Sequence, residues 1–333
     1  MNVAPDFDPA RLEAVLGGPV ALRPVASGQS NPTWFVDHAG RRLVLRKKPR
    51  GANLSSAHAV EREYRVMAAL EGTGVPVPRM VMLEEDAEVL GTPFYLMERL
   101  DGVVSEDSAL PQFSADSRRA VYNDAARVLA RLHAVDWDAV GLGTFGKSSD
   151  YYARQVKRWA HQWEATRTRD DRLIDALSDW FSNNVPADSK TTVVHGDYRI
   201  GNLMLDPASS RVVGVLDWEL STLGDPLADL AHWSMFTVLG PEQLGGVAGL
   251  DLGALGIPGS RQFLDIYRAA GGVEAELTPF HRAFALYRMS VIFEGIKSRA
   301  ETGQAASADA AEIGALAPVC ARLADEILSG DAQ

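Results

Sequence analysis

Residues 193–205 read VVHGDYRIGNLML, and residues 212–218 read VVGVLDW. Asp197 stands five positions before the amide Asn202, and two apolar runs then lead to a second carboxylate, Asp217. Transfer of a phosphoryl group depends on positioning and on neutralisation of charge more than on covalent chemistry. One carboxylate must face an acceptor hydroxyl, while an amide and another carboxylate suit Mg²⁺, which prefers oxygen ligands. The spacing of these residues therefore favours phosphoryl transfer.

These segments resemble the catalytic loop and the metal-binding segment of the aminoglycoside phosphotransferase family. That family shares the bilobal fold of protein kinases, in which the matching elements are the His-Arg-Asp loop and the Asp-Phe-Gly triplet. The resemblance implies that Asp197 orients or deprotonates the acceptor hydroxyl and that Asn202 and Asp217 bind Mg²⁺. Trp218-Glu219 stands where kinases have Phe-Gly, so the resemblance does not extend to switching of the Asp-Phe-Gly type.

Two further residues near this loop are predicted to give structural support. His195 follows two valines, and a lone histidine in such surroundings is more often packed and hydrogen-bonded than catalytic. Asp225-Pro226 is typical of a helix N-cap and first helical position. Asp229 then falls in the first turn, where its charge suits the helix dipole. The family resemblance implies that Asp229 braces the catalytic loop through backbone hydrogen bonds.

The first hundred residues are predicted to form a small sheet with one main helix. Short runs rich in Val, Leu, Phe and Trp between turn residues predict strands at 20–25, 33–37, 42–46 and 93–98. Apolar residues spaced by three and four predict a helix over 56–70. The turn at 100–102 gives the predicted boundary, with a nucleotide-binding lobe over 1–98 and a catalytic and substrate-binding helical lobe over 99–333.

The second part is predicted to be mainly helical, apart from the segment that carries Asp197. Amphipathic or long apolar patterns predict helices at 118–134, 152–166 and 280–299. The expected fold class is therefore α+β. Together with the resemblance, it implies a bilobal protein-kinase-like fold with a small β-sheet lobe and a larger, mainly helical lobe.

The nucleotide needs a loop over its phosphates, and residues 26–31 join two predicted strands. Backbone N–H groups of such a loop can bind phosphate oxygens. We predict that Ser27, Gly28, Gln29 and Ser30 serve in this way, although a loop with one glycine is also compatible with an ordinary turn. At the joint between the predicted lobes, Glu98 and Leu100 are further candidate nucleotide contacts.

The kinase fold places a lysine on the third strand and pairs it with a glutamate of the next helix. Here Arg46 takes that position, and a guanidinium can engage phosphate and carboxylate together. Strand alternation points Lys47 the other way, which favours Arg46. Glu63 falls within the apolar stripe of the following helix and Glu61 outside it. Since a buried acid needs a partner, Glu63 is the preferred partner of Arg46.

Composition and charge exclude several classes of function. The net charge of −11 argues against nucleic acid as a partner. Its excess after residue 98 suits either solubility or attraction for a cationic substrate. Six basic residues fall between positions 41 and 50. They fit a solvated sheet edge or, alternatively, an acidic ligand such as a CoA phosphate.

The sequence also predicts a cytoplasmic protein without a membrane span. No uncharged apolar run reaches the length of about 18 residues that a spanning helix needs. The N-terminus lacks the profile of a signal peptide. The single cysteine, Cys320, cannot form an internal disulfide and fits a reducing compartment. Its apolar helical surroundings predict a buried structural thiol.

Within the family, the chain resembles the branch whose members are fused to, or encoded beside, acyl-CoA dehydrogenases. The segments that carry this likeness are SGQSNPT (27–33), VLRKKP (44–49), EREYRV (61–66), GTPFY (91–95) and LDWELSTLGDP (216–226). The resemblance implies an ATP- and Mg²⁺-dependent kinase of hydroxyacyl-CoA, hydroxylated at carbon 4, with GTP open as the donor. An acyl-CoA dehydrogenase would be a pathway partner, because a phosphate is a good leaving group for a later elimination.

Two other functions stay open at this point. An aminoglycoside or other amino alcohol is the alternative small-molecule acceptor, drawn by the acidic second part. A nucleotide-binding or scaffold protein without catalysis is the alternative of another class, which the intact Asp197, Asn202 and Asp217 argue against. The acceptor site is expected in the helical part, including 151–163 and 287–299.

Overall fold

A computed structural model of the chain describes residues 5–25, 31–50, 59–302 and 310–330. The first part contains α1 (Pro9–Leu16), β1 (Ala21–Pro24), β2 (Thr33–His38), β3 (Arg41–Lys47), α2 (Val60–Leu70), β4 (Met80–Glu84), α3 (Ala87–Leu90) and β5 (Phe94–Glu98). The five strands form one antiparallel sheet in the order β1-β2-β3-β5-β4.

The predicted strands are present, and the sheet has one strand more than the sequence indicated. The additional strand β4 reads MVMLE and is half-buried along its whole length. It therefore lacks the alternation of buried and exposed positions by which a strand is recognised in a sequence. Helix α1 was also missed, although Asp8 accepts a hydrogen bond from Ala10 N and Pro9 opens the helix.

The two faces of strand β3 contact different parts of the chain, and this separates the neighbouring cations Arg46 and Lys47. Leu43 and Leu45 belong to an apolar cluster on the α1 side of the sheet. Lys47 shares that face, because its ammonium lies 2.8 Å from Asp6 and its side chain is 0% exposed. Arg46 points to the opposite face, where α2 lies. The alternation of side chains along the strand thus separates the two cations as expected.

The second part of the chain is mainly helical. It contains α4 (Ala115–Ala134), α5 (Tyr151–Thr166), α6 (Arg172–Asn183), β6 (Thr192–Val194), β7 (Leu203–Asp206), β8 (Arg211–Val215), β9 (Thr222–Gly224), α7 (Leu227–Met235), α8 (Leu252–Leu255), α9 (Ser260–Ala269), α10 (Pro279–Glu301), α11 (Ala310–Gly314) and α12 (Ala317–Ser329). Helix α10 is the central element, because it packs against α5, α6, α7, α11 and α12. None of the helices within the described ranges has the length and apolar character needed to cross a membrane.

Two short antiparallel pairs, β6–β9 and β7–β8, hold the segment around Asp197. Val103, just after the first sheet, exchanges two backbone hydrogen bonds of 2.8 Å with Leu205 of β7. The connection between the two parts is therefore tied directly to the β7–β8 pair. Cys320 of α12 is buried, as predicted, and burial raises its pKa to about 12.

Candidate active site

The segment from His195 to Asn202, which we name the catalytic loop, begins with a tight turn at Gly196. Gly196 has a φ of 82°, a region that residues with a side chain rarely adopt. A Cβ at this position would also lie 2.7 Å from the carbonyl oxygen of Leu220. Only glycine fits here, so the turn that aims Asp197 depends on Gly196.

Asp229 of α7 holds this turn from below. Its Oδ2 accepts a hydrogen bond from His195 N at 2.7 Å, and its Oδ1 accepts one from Gly196 N at 2.8 Å. His133 of α4 places Nε2 3.1 Å from Oδ2. Burial by itself would raise the pKa of Asp229, but the hydrogen bond and charge of His133, with those of His195, lower it overall. A wholly buried carboxylate thus joins the loop to α4.

His195 links the catalytic loop to the segment that carries Asp217. Its Nδ1 accepts a hydrogen bond from Asp197 N at 3.2 Å. Its Nε2 lies 2.8 Å from the carbonyl oxygen of Leu216 and donates to it, since a carbonyl can only accept. Both bonds together fix the orientation of the ring, with a proton on Nε2. His195 is fully occupied by these contacts, an arrangement suited to support.

The carboxylate of Asp197 lies at the end of the turn with 25% of its side chain exposed. Its Oδ1 is 2.7 Å from Nε2 of His232, and its Oδ2 accepts a hydrogen bond of 2.7 Å from the amide of Asn202. Arg199 Nε lies 3.7 Å from Oδ2. Burial would raise the pKa of Asp197, but His232, followed by Arg199 and His195, lowers it overall. The group is therefore an ionised carboxylate held in one orientation.

Asn202 and Asp217 meet at the same end of the β7–β8 pair. Leu216 N donates a hydrogen bond of 2.8 Å to Asn202 O, which brings the residue before Asp217 alongside Asn202. The amide nitrogen of Asn202 is used on Asp197, which leaves its oxygen for another partner. Asp217 has a φ of 62°, a strained conformation that is often found at functional sites.

These two side chains offer Mg²⁺ one amide oxygen and one carboxylate. Within residues 5–25, 31–50, 59–302 and 310–330 there is no group of three or more His, Cys, Asp or Glu side chains arranged to hold a metal. Two protein ligands are nevertheless what Mg²⁺ uses when phosphate oxygens and waters complete its shell. The donor set at Asn202 and Asp217 fits such an ion.

Arg46 reaches across from β3 and joins α2 to the same region. Its Nε lies 2.9 Å from Oε2 of Glu63, and its Nη2 lies 3.0 Å from Oδ1 of Asp217. Glu63 also accepts hydrogen bonds from Asn31 at 2.7 Å and from Tyr95 at 2.9 Å. We name these five residues the Arg46 network. It brings Arg46 and Glu63 together, as the strand and helix patterns predicted.

The other residues predicted to contact the nucleotide lie in different places. Ser27, Gly28, Gln29 and Ser30 lie outside the described residues. Glu98 pairs with Leu43 across the strands, so its side chain lies on the face opposite to Arg46. There its carboxylate contacts Arg79 at 3.4 Å, and its backbone N–H donates to Arg79 O at 2.8 Å. Leu100 lies against Gly214 at the joint between the two parts.

The basic run at 41–50 is largely neutralised by carboxylates. Its ion pairs among the described residues are Arg41–Glu98, Arg42–Asp101, Arg46–Glu63, Arg46–Asp217, Arg46–Glu219, Lys47–Asp6 and Arg50–Asp6. This favours the interpretation of the run as a sheet edge over its alternative as a site for an acidic ligand.

Sequence reasoning missed three residues that contact the catalytic loop or its carboxylate. His232 follows Asp229 by three positions in α7, and this i,i+3 spacing was the one available signal. Arg199 lies within the loop itself and also pairs with Glu106 at 2.8 Å. Arg288 of α10 donates a hydrogen bond of 2.8 Å to Gly196 O, and nothing in the sequence indicated this contact.

A family model and curated relatives both match most of the chain. The model of the phosphotransferase enzyme family matches residues 21–273. Acyl-CoA dehydrogenase family member 10 of Mus musculus is 42% identical over 94% of this chain and 30% of its own length. Acyl-CoA dehydrogenase family member 11 of Gallus gallus is 37% identical over 87% of this chain and 38% of its own length. The chain therefore spans about a third of these curated relatives.

Solved structures resemble the chain along nearly its whole length. A Ralstonia eutropha JMP134 protein, provisionally described as an aminoglycoside phosphotransferase, has a TM-score of 0.88 and 39% identity over 97% of this chain and 99% of its own. A thermostable mutant of aminoglycoside phosphotransferase APH(4)-Ia, in a ternary complex with AMP-PNP and hygromycin B, has a TM-score of 0.61. At 18% identity, covering 94% of this chain and 97% of its own, it shares the fold alone. The expected α+β, protein-kinase-like fold is confirmed.

Proposed function

This chain belongs to the phosphotransferase enzyme family and is a small-molecule phosphotransferase, as its resemblance predicted, and we propose that it phosphorylates a hydroxyacyl-CoA. ATP is the proposed donor, with GTP as the alternative, and the reaction depends on Mg²⁺. The preferred acceptor carries its hydroxyl at carbon 4. The observation that carries the reaction type is the ionised, doubly held carboxylate of Asp197 at the tip of the braced loop.

Asp197 suits the role of orienting the acceptor and taking its proton. The acceptor oxygen forms a bond to the γ-phosphorus, the bond from that phosphorus to the bridging oxygen breaks, and the nucleoside diphosphate leaves. The hydroxyl proton passes to the carboxylate of Asp197 and then to solvent. His232 at 2.7 Å and Asn202 at 2.7 Å fix the two oxygens of Asp197, so the acceptor meets a carboxylate of set direction.

Asn202 and Asp217 are the proposed ligands of Mg²⁺, which when bound would neutralise charge on the nucleotide phosphates. Asp217 is paired with Arg46 at 3.0 Å, so Arg46 shares the charge of this carboxylate. Arg199, close to Asp197, adds a further cation for a transferring phosphoryl group. Neighbouring structures with AMP-PNP or ADP bound support a nucleotide as the donor.

The proposed acceptor rests on the relatives named as acyl-CoA dehydrogenase family members. An enzyme of that class in the same pathway is the proposed partner, since a phosphorylated acyl-CoA carries a good leaving group. An aminoglycoside is the second candidate, favoured by the description of the Ralstonia eutropha structure. A nucleotide-binding protein without catalysis is the third, which the charged, ordered surroundings of Asp197 argue against.

The test is incubation with ATP, Mg²⁺ and panels of hydroxyacyl-CoA thioesters and aminoglycosides, with release of ADP as the readout. We expect turnover on 4-hydroxyacyl-CoA and a phosphorylated product in its mass spectrum. Asp197→Asn is the matched control, because it keeps the shape of the side chain and removes the base. Release of ADP with aminoglycosides alone would reject the CoA acceptor. Binding of ATP without turnover on any compound would favour the non-catalytic alternative.

A further inference from the structure

Two arginines of the helical part contact the same tryptophan, and neither has a carboxylate partner among the residues that the structure describes. Arg288 of α10 donates to Gly196 O at 2.8 Å, one residue before Asp197. Its guanidinium carbon lies 5.6 Å from the ring centroid of Trp159 in α5, and that of Arg158 lies 5.2 Å from the same centroid. We name Arg158, Trp159 and Arg288 the arginine cluster.

The charge of this cluster is not neutralised by the described part of the protein. Arg46 and Arg199 each have a carboxylate within 3.0 Å, whereas neither Arg158 nor Arg288 has one within 4.0 Å among the described residues. Burial, followed by the charge of Arg288, lowers the pKa of Arg158. Two guanidinium groups whose charges repel each other are stabilised when an anion binds to both of them.

The local geometry of α5 presents this charge on one side of the helix. Trp159 is buried and its Nε1 donates to Gln155 Oε1 at 3.1 Å, which fixes the ring. Arg158 is exposed, and its position follows Tyr151 by seven residues, so both lie on the same flank of the helix. The face of an aromatic ring attracts a guanidinium, and the N–H groups of that guanidinium stay available for a planar anion.

We propose that Arg158 and Arg288, held against Trp159, bind an anionic group of the acceptor and select acidic acceptors over cationic ones. This proposal rests on the function proposed above and adds the chemical class that the helical part recognises. The anion is a carboxylate or a phosphate, as a hydroxy acid or its CoA ester would supply. A polycationic acceptor such as an aminoglycoside would meet like charge at this position, which disfavours its binding.

The cluster is tested by titration calorimetry without nucleotide, using CoA and a 4-hydroxy acid as separate probes. Arg158→Gln should weaken binding of the anionic probe about 10-fold or more, the scale of a hydrogen bond to a charged group. Lys157→Gln is the matched control, because it removes one charge from the exposed surface of the same helix on the other side of its buried stripe. Its affinity should equal that of the wild type.

The two sources of the anion are separated by the two probes. If Arg158→Gln binds only CoA more weakly than the wild type does, the anion is a phosphate. If it binds the 4-hydroxy acid more weakly, the anion is a carboxylate. Equal affinity of Arg158→Gln and wild type for both probes, or no binding of either by wild type, overturns the proposal. Arg288→Gln should weaken binding of the same probe. If binding depends on the arginines but no hydroxyacyl-CoA is phosphorylated, the proposed function fails and the anion site stands.

Discussion

Two buried carboxylates, Asp229 under the catalytic loop and Glu63 in the Arg46 network, have pKa values shifted in opposite directions. Both are essentially unexposed, at 0% and 1%. The pKa of Asp229 is lowered in spite of burial, because His133 and backbone N–H groups favour its charge. The pKa of Glu63 is raised, because burial and the nearby Asp217 outweigh Arg46 and two hydrogen bonds.

The difference separates a fixed region from an adjustable one. Asp229 is held by backbone N–H groups of the loop and by His133 of α4, none of which is a proposed ligand of the metal or the nucleotide. Glu63 shares Arg46 with Asp217, so any change in the charge bound at Asp217 alters the balance at Glu63. The catalytic loop is therefore preorganised, while the Arg46 network is expected to readjust when a metal–nucleotide complex arrives.

The largest expected effect is on turnover and comes from the fixed region. Asp197→Ala should lower kcat by about 10²- to 10⁴-fold, the scale of general acid–base contributions. The variant should fold normally, because Asp197 is partly exposed and the turn at Gly196 remains held by Asp229. Turnover is measured with the acceptor that the ADP-release assay identifies, and folding by urea unfolding. A kcat equal to that of the wild type would remove Asp197 from the chemistry.

The next effect is on stability. Asp229→Asn should reduce the free energy of unfolding by about 3–5 kcal/mol, as expected when one member of a buried charged set is lost. The amide keeps one acceptor for the loop but places N–H groups against the N–H of His195 or Gly196. Glu98→Gln is the control, because this exposed ion pair should be worth only about 0–1 kcal/mol. Equal effects of the two variants would show that the loop is not held from Asp229.

The same two regions show how much of the site could be predicted from the sequence. Asp197, Asn202 and Asp217 lie within a short stretch whose hairpin register brings them together, so their spacing was sufficient to predict a common site. Arg46 and Glu63 followed from strand alternation and the stripe of a helix. These are local rules, and they apply to segments whose partners are near in sequence or set by a regular period.

Contacts between distant helices could not be read in this way. His232 and Arg288 approach the loop from α7 and α10, and their direction depends on how helices pack against each other. Strand β4 was missed because half-burial along its length hides the alternation. The sequence thus predicted the reaction type and the confirmed fold class, while the contacts of His232 and Arg288 with the loop required the tertiary structure.

The smallest expected effect tests the comparison most directly, through the dependence of stability on pH. Asp229 has a lowered pKa when folded, so its charge stabilises the protein above the ordinary carboxyl range, and this is lost as pH falls. The deficit of Asp229→Asn should therefore stay constant near neutrality and shrink as the pH falls below about 4, the ordinary carboxyl pKa. Glu63 has a raised pKa, so its contribution is complete below the ordinary range and is lost as pH rises.

The deficit of Glu63→Gln should therefore shrink in the other direction, from about pH 4.5 toward neutrality, by about 1.4 kcal/mol for each unit by which the pKa is raised. Urea unfolding of wild type and both variants from about pH 3 to pH 7 measures the two slopes, that of Asp229 below about pH 4 and that of Glu63 above about pH 4.5. Slopes of opposite sign are expected from a loop that favours its buried charge and a network that opposes it. Slopes of the same sign would mean that Arg46 neutralises Glu63 as fully as the loop and His133 neutralise Asp229, and that both regions are fixed before any ligand binds.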